Sequence, residues 1–239
     1  MPSPNVRTLD PTARIEYQTR LGDARGTLAE TYHLRSRLRP WELDRLPSEA
    51  DVQALRDWLH ASGRTYGDDV VAEGRAGLPV RDLQELPQPV GAFLAAFCRG
   101  QGAAMYAADV TVVHHDELAL LTPAGGLVVE RSLGADSLTR LAQQVHREQR
   151  GAVETAGCVL AVMTVPWRQM VLYGERGFRR ALMETGILVA SLCGVAAQAG
   201  LRPTPIVDFA DAEVDALLFN DGVERFCAAL VALGTEALA

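Results

Sequence analysis

Apolar and polar positions along the chain follow two spacings, one typical of helices and the other of strands. Six stretches are predicted to be helical, most of them from apolar residues that repeat every three or four positions. They cover residues 27–38, 48–61, 90–97, 137–147, 177–199 and 210–218. Thr27 with Glu30, and Ser48 with Asp51, have the spacing of a capping box, so these pairs mark where the first two helices begin.

Shorter apolar runs bounded by turn residues predict strands. They cover residues 109–115, 118–121, 127–130, 156–165, 204–207 and 227–233. Residues 122–126 form a turn that joins the second strand to the third as a hairpin, and the almost unbroken apolar run at 156–165 predicts a central buried strand. Strands and helices do not alternate regularly, so the pattern predicts an α+β fold rather than a doubly wound parallel sheet.

The remaining segments set the predicted domain organisation. Residues 1–22 are polar and contain scattered prolines, which predicts a flexible N-terminal arm. Residues 63–79 are rich in glycine and charge and form a loop, and residues 79–89 form a second loop with short helical content. With 48% hydrophobic residues, the chain can bury a sizeable core, so we expect a single domain over residues 23–239.

Charge and composition narrow the function classes. The net charge of −7 disfavours nucleic-acid binding, which depends on neutralising phosphates. The four cysteines form no CxxC pair, so neither a zinc site nor a disulfide framework is indicated. The N-terminus has no apolar signal segment, and the longest apolar stretch, residues 186–200, is shorter than a membrane span. These features predict a cytoplasmic protein that binds neither nucleic acid nor a membrane.

Other common catalytic patterns are missing or have simpler structural explanations. The sequence contains no GxSxG, HExxH, P-loop or GxGxxG motif. Adjacent residues of a strand point to opposite faces, so His114 and His115 are not expected to share a metal ion, and no metal site is predicted. Arg180 and Glu184 are four residues apart on one helix, which favours a structural ion pair over a ligand site.

Several segments, in the right order, carry a resemblance to a known family. Residues 173–179 read YGERGFR and continue as ALMETG, residues 205–209 read PIVDF, and Tyr32-His33 is followed by Ser36-Arg37. This series resembles the SagB-type peptide azoline dehydrogenases, which belong to the nitroreductase-like flavoprotein superfamily. The resemblance covers about residues 155–235 and touches the N-terminus.

The resemblance implies a fold, a cofactor and partners. The fold would be a mostly antiparallel central sheet flanked by helices, with the long helix at a dimer interface, where its small residues would allow close packing. The cofactor would be FMN, bound between protomers and used to oxidise a thiazoline or oxazoline in a modified peptide to the azole. A cyclodehydratase would be a further partner, and the chain would form a homodimer or pair with a related subunit.

The resemblance also implies roles for particular residues. Tyr173 would assist proton transfer, and the turn that contains Pro205, Val207 and Asp208 would present its backbone N–H groups to the redox-active edge of the flavin. The nearest candidates for the phosphate-binding arginines are Arg35 and Arg39. Arg75 and Arg81 are the alternative, because they lie near the stretch that precedes the phosphate motif in these proteins.

Three positions depart from the family pattern. Leu172 stands where these dehydrogenases carry a lysine, and a tyrosine with an ordinary pKa near about 10 is a poor base at neutral pH. Val207 and Asp208 replace glycines, and a carboxylate there would disfavour an anionic reduced flavin. Because the phosphate motif is also incomplete, two functions stay open: an FMN-dependent azoline dehydrogenase, or a flavin-free partner subunit that binds a peptide or a sister enzyme.

Overall fold

A computed structural model describes residues 32–33, 36–38, 43, 46–61, 78–101, 107–123 and 125–234. The chain separates into two units, Met1–Leu46 and Pro47–Ala239. In the first unit, the Ser36 N–H donates to the Tyr32 carbonyl at 2.9 Å, which closes a helical turn within the predicted first helix. The rest of that helix, the predicted arm, most of the loop at 63–79, and both Arg35 and Arg39 lie outside the described residues.

The second unit contains the helices and strands that position the candidate site. Its described helices are α1 (Glu49–Ala61), α2 (Val90–Gln101), α3 (Ser137–Gln143), α4 (Arg150–Glu154), α5 (Trp167–Tyr173), α6 (Glu175–Gln198) and α7 (Asp211–Leu217), with a 3-10 helix at Leu83–Glu85. Its described strands are β1 (Val80–Asp82), β2 (Ala108–His114), β3 (Glu117–Leu121), β4 (Gly126–Ser132), β5 (Cys158–Thr164), β6 (Arg202–Ile206) and β7 (Phe226–Gly234).

The seven described strands form one antiparallel sheet in the order β1-β4-β3-β2-β5-β7-β6. The predicted hairpin is confirmed, because β3 pairs with β4 from Leu121 opposite Leu127. β5 is an interior strand buried along its whole length, as its apolar run predicts. The predicted α+β architecture is therefore confirmed.

Helices cover both faces of the sheet. Val110 and Leu160 point to the face that α2 and α6 cover, and Leu192 of α6 belongs to the same buried cluster. Val113 and Ala161 point to the opposite face, which α3, α4 and α7 cover. This alternation along each strand is the arrangement expected of a sheet buried between two helical layers.

The start of α1 confirms a prediction from local sequence. Ser48 Oγ donates to Asp51 Oδ2 at 2.7 Å, the Ser48 N–H donates to the same oxygen at 3.0 Å, and the Asp51 N–H donates to Ser48 Oγ at 3.2 Å. These hydrogen bonds from Ser48 lower the pKa of the Asp51 carboxyl. They satisfy N–H groups that the first turn of a helix leaves without partners.

Three local predictions were wrong or incomplete. The predicted helix at 137–147 ends at Gln143, because Val145 leaves it to form a β-bridge with Phe209. The loop predicted over 79–89 contains β1, whose three residues are exposed and so give no apolar signal. α5 went unpredicted because the residues it buries include the polar Arg168 and Gln169.

Candidate functional site

Two parallel strands bring the predicted site segments to the same end of the sheet. β5 ends at Thr164 and β6 ends at Ile206, and both run antiparallel to the β7 strand between them. β2 and β7 begin at this end, where Thr164 pairs with Ala108 on one side and Phe226 on the other. The segments that follow β5 and β6 therefore leave the sheet in the same direction, with β6 stopping opposite Leu230, four residues from the ladder's end at Phe226. We call this region the β5–β6 end.

A tight corner after β5 joins α5 to α6. Gly174 connects the helices with φ 57° and ψ −143°, a conformation that residues with a Cβ rarely adopt. A methyl group on Gly177 would overlap the Gln169 carbonyl and the Met170 nitrogen, so the backbones of the two helices touch there. Both glycines of the YGERG segment are thus required by the geometry of this corner, which comprises residues 167–180.

Tyr173 is the last residue of α5 and is half-buried. The Arg180 guanidinium covers its ring, with Cζ 4.1 Å from the ring centroid, which is a cation–π contact. Arg180 Nη2 lies 4.0 Å from Glu184 Oε1, so the predicted ion pair is confirmed. The other oxygen of Glu184 accepts a hydrogen bond from Gln169 Nε2 at 2.7 Å, and Gln169 is only 1% exposed.

A buried cluster of charges holds the same corner to the sheet. Arg168 Nη1 donates to Asp109 Oδ1 at 2.7 Å, and these side chains are 5% and 4% exposed. Arg225 Nε lies 3.4 Å from the second oxygen of Asp109, and Arg225 Nη1 lies 3.7 Å from Glu130 Oε2. Asp109 therefore links α5 to the loop before β7. Sequence analysis missed this cluster, and a charged residue at the start of the buried β2 strand was its one visible sign.

The loop before β7 is ordered by Asp221. Its Oδ1 accepts hydrogen bonds from the N–H groups of Val223 at 2.8 Å, Glu224 at 2.8 Å and Arg225 at 3.1 Å. The hydrogen bond from the Val223 N–H makes the largest contribution to lowering the pKa of the Asp221 carboxyl, and that from Arg225 makes the next largest. This arrangement fixes the backbone from which Arg225 extends toward Asp109.

The turn at residues 205–209 includes the last two residues of β6. Its backbone is pinned, and its Val207 and Asp208 side chains are exposed, whereas Ile206 is buried. The His146 N–H donates to the Asp208 carbonyl at 2.9 Å, and the Ala210 N–H donates to the Gln144 carbonyl at 2.8 Å. The β6–β7 ladder ends at Ile206, so Val207 and Asp208 lie beyond it, and Val207 is 66% exposed. A fixed backbone with an exposed outer surface fits the contact with a flavin ring edge that the resemblance implies.

The structure brings some of the predicted site residues to one region and leaves others apart. Tyr173 and the turn at residues 205–209 both lie at the β5–β6 end, although no hydrogen bond or ring contact joins them among the described residues. Of the two alternative phosphate-binding residues, Arg75 lies outside the described residues. Arg81 lies on β1, the outermost strand on the far side of the sheet from β6. It is already paired, with Nη2 at 3.0 Å from Glu117 Oε1 and Nη1 at 3.7 Å from Glu85 Oε2.

The histidine pair lies at the opposite end of the sheet. The prediction that the two rings point to opposite faces was wrong, because His115 lies in the β2–β3 turn with φ 49°, and its ring centroid is 4.0 Å from that of His114. His114 Nδ1 is 3.0 Å from the Gly157 carbonyl oxygen, and burial lowers the pKa of His114. Among the described residues, no group of three or more His, Cys, Asp or Glu side chains could hold a metal ion.

None of the four cysteines is an activated nucleophile. Burial raises the pKa of the Cys98 thiol to about 11 and that of Cys158 to about 12. Burial also raises the pKa of Cys193 and of Cys227. All four thiols are therefore held protonated near neutral pH, whereas thiol catalysis requires a thiolate.

The long helix α6 has one covered and one open face. Leu188, Leu192 and Ala196 are buried against the sheet. Met183 is 62% exposed and Ile187 is 65% exposed. We call the open face the exposed, mostly small or apolar series Met183, Gly186, Ile187, Ala190 and Gly194. The predicted small-residue face is thus divided, since Ala190 and Gly194 lie on the open face while Ala181 is buried.

By length and composition alone, α6 is the one described helix that could cross a membrane, and only 28% of its most apolar 18-residue window is buried. Its inner face packs as that of a core helix does, while the uncovered apolar residues lie together on the open face. Met183 and Ile187, the large apolar side chains of the open face, are therefore largely exposed among the described residues.

No protein-family model and no curated protein matches this sequence. Solved structures do match it. A protein from Anabaena variabilis assigned to the nitroreductases superposes with a TM-score of 0.61 and 20% identity, over 86% of this chain and 45% of that one. One chain of the E. coli microcin synthetase McbBCD complex, solved with truncated pro-MccB17 bound, superposes with a TM-score of 0.54 and 15% identity, over 84% of this chain and 99% of that one. A Ralstonia eutropha protein, also assigned to the nitroreductases, gives 0.51 and 16% identity, over 66% and 79%.

These comparisons establish the nitroreductase fold for this chain. The resemblance read from the sequence is therefore confirmed at the level of the fold. The chain spans less than half the length of the Anabaena protein, 45%, and nearly the full length of the matched chain in the microcin synthetase complex.

Proposed function

We propose that this protein is an FMN-dependent dehydrogenase that oxidises a thiazoline or oxazoline in a modified peptide to the corresponding azole. The observation that supports this most directly is that Tyr173 and the pinned turn at residues 205–209 share the β5–β6 end of a nitroreductase fold. The likeness to a chain of the microcin synthetase complex, which was solved with a peptide precursor bound, supports a peptide substrate.

The reaction removes two hydrogens from neighbouring atoms of the azoline ring. FMN, when bound, supplies the two-electron oxidant that accepts one of them as a hydride. The other leaves as a proton, and Tyr173 is the residue of this chain proposed to receive it at its phenol oxygen, while the hydroxyl's own proton passes to solvent. The turn at Pro205, Val207 and Asp208 would hold the redox-active edge of the ring, and Arg35 and Arg39 would bind the phosphate.

The absorbance spectrum of the purified full-length protein tests the cofactor. We expect a flavin band near about 450 nm, either as purified or after addition of FMN. Anaerobic mixing with a peptide that carries a thiazoline should bleach this band in a single turnover and produce the thiazole, which mass spectrometry detects as a loss of two hydrogens. A colourless protein that takes up no added FMN would rule the proposal out.

We also propose that the open face of α6 forms the interface of a dimer. The face is apolar and includes Gly186 and Gly194, which allow two helices to approach closely. Substitution Ile187→Glu should convert the dimer to a monomer in light-scattering measurements. Val223→Glu is the matched control, since Val223 is also exposed, at 77%, but lies outside the face.

A second candidate function is a flavin-free partner subunit, and two observations favour it. Leu172 is half-buried beside Tyr173 and cannot exchange a proton, and the exposed Asp208 adds a negative charge at the turn. In this function the nitroreductase fold is kept, and the open face of α6 binds a related catalytic subunit or a cyclodehydratase that makes the azoline.

A reconstitution experiment separates the two candidates. A flavin-free preparation of this chain is added to a catalytic subunit and the azoline peptide, and azole formation is followed over time. The partner function predicts that maturation requires this chain although the chain itself holds no flavin. Turnover by the isolated chain with FMN would exclude the partner function.

A further inference from the structure

The side chains that surround Tyr173 have no role in the reaction proposed above, yet they contact its ring closely. The Arg180 guanidinium lies over the phenol ring at 4.1 Å, close enough for its charge to act directly on the ring. Arg180 belongs to α6, whereas Tyr173 ends α5, so the contact crosses the corner between the two helices. A positive side chain of α6 thus contacts the proposed proton acceptor, which belongs to α5.

Arg180 is itself held in place. Its side chain is 44% exposed, and a free arginine at that exposure would sample several rotamers. Here Glu184 lies 4.0 Å from the guanidinium and is fixed by the hydrogen bond from Gln169, which is buried in α5. Gln169, Glu184, Arg180 and Tyr173 therefore form a continuous chain of contacts that starts in the interior and ends on the ring.

This series of contacts lies where α5 is fixed to the elements around it. The backbone contact at Gly177 fixes α5 against α6, and the Arg168–Asp109 ion pair fixes α5 to β2. Relative motion of the α5 and α6 backbones would have to break these contacts. Leu172, next to Tyr173 in sequence, carries no charge, whereas the guanidinium of Arg180 is a positive group in contact with the phenol ring.

We infer that Arg180, held by Glu184 and Gln169, is a positioning residue for Tyr173: it fixes the phenol ring and stabilises negative charge on it. This inference rests on the proposed function, in which Tyr173 receives the proton that the azoline loses. A cation over the ring interacts favourably with its π electrons and with negative charge that develops on the phenol oxygen during proton transfer. Tyr173 has no neighbouring lysine in sequence. In this arrangement the adjacent helix supplies the cation instead.

The contact can be measured without any substrate. The protein contains five tyrosines, so incorporation of 3-fluorotyrosine gives up to five fluorine resonances, and Tyr173→Phe identifies the one from residue 173. Arg180→Met should shift this resonance, and Arg180→Lys, which keeps the positive charge, should shift it less. Arg179→Met is the matched control, because it removes a positive charge from the neighbouring position, whereas the cation over the ring belongs to Arg180.

The role is measured with the flavin-loaded protein and a thiazoline peptide. With dissolved oxygen to reoxidise the flavin, Arg180→Met should lower the steady-state kcat by about three- to tenfold, the range expected for loss of one cation–π contact, with KM almost unchanged. Arg180→Lys should recover part of kcat, and Glu184→Gln should lower it less than Arg180→Met does. Arg179→Met should leave kcat near the wild-type value.

The outcomes distinguish this inference from the proposed function. If Arg180→Met shifts the fluorine resonance but leaves kcat equal to that of Arg179→Met, the contact is structural and the inference is overturned, while the proposed function stands. An unchanged resonance in Arg180→Met also overturns it. If the wild-type protein oxidises no azoline peptide, the proposed function fails and the positioning role fails with it, even where the resonance confirms the contact.

Discussion

The corner at residues 167–180 and the turn at residues 205–209 lie at the same end of the sheet but depend on their sequences differently. In the corner, Gly174 and Gly177 are required by a positive φ and by a backbone contact. In the turn, the exposed Val207 and Asp208 face outward, and the backbone is held by hydrogen bonds that any residue can make.

This difference determines what can be inferred from the family resemblance of the corner and from that of the turn. The match in the corner reports how two helices pack, so it is strong support for the fold and weak support for flavin chemistry. The turn is where a cofactor would touch the chain, and it is there that the sequence departs from the glycines of the family. Substitutions in the corner should therefore affect stability, and substitutions in the turn should affect ligand binding.

Removal of Asp109 should have the largest effect on stability. Asp109→Ala leaves the buried Arg168 without its carboxylate, which typically costs about 3–5 kcal/mol of unfolding free energy. Chemical denaturation followed by circular dichroism measures the loss. The double variant Asp109→Ala with Arg168→Met should recover part of it, since the buried Arg168 guanidinium that lost its carboxylate is then absent. Equal stability of the single and double variants would show that the pair does not hold the corner.

A methyl group at Gly177 should have the next largest effect. Gly177→Ala forces α5 away from α6 and should reduce the unfolding free energy by about 1–3 kcal/mol. Gly151→Ala in α4 is the matched control, because nothing lies within 4 Å of the added methyl there, and a helical alanine should stabilise the protein slightly. If both variants behave alike, the helices of the corner do not touch as described.

His114, at the opposite end of the sheet, gives a smaller and pH-dependent effect. Burial holds the pKa of His114 below its ordinary value of 6.5, so the folded state resists protonation more than the unfolded state does. Stability should therefore be constant above about pH 6.5 as far as this group is concerned, and should decline as the pH falls below that value. Thermal unfolding measured from pH 8 to pH 5 should show a shallower decline in His114→Gln.

Asp208→Gly should have the smallest effect on stability and a clear effect on the cofactor. Because the side chain is exposed, the unfolding free energy should change by no more than about 0.5 kcal/mol. Loss of the negative charge should make the flavin easier to reduce, which a spectroelectrochemical titration measures as a higher midpoint potential. An unchanged potential, with flavin bound, would show that the turn does not face the ring.

Local features of the sequence were sufficient to predict much of the fold. The capping box of Ser48 and Asp51 and the apolar run of β5 were predicted from neighbouring residues, and the structure confirms both. The long helix α6 was also predicted within two residues of its observed ends, Glu175 and Gln198. Such features depend on hydrogen bonds and side-chain periodicity within one segment, so the sequence contains them in full.

Other features depended on segments that are distant in sequence. Arg168 gave no sign that it pairs with Asp109, 59 residues away, and this pairing is what allows α5 to bury a polar face. Strict alternation along a strand failed for His114 and His115 because the turn has its own backbone geometry. Patterns of burial do not identify which distant charges will meet.

The sequence by itself therefore determined most of the elements, the β3–β4 hairpin and the presence of the two segments that carry the resemblance. Only the tertiary structure placed Tyr173 under Arg180 and brought the corner and the turn to one end of the sheet. The physical reason is that local periodicity fixes which face of each segment is buried. The partner of each face is chosen by packing and ion pairing among all the segments at once.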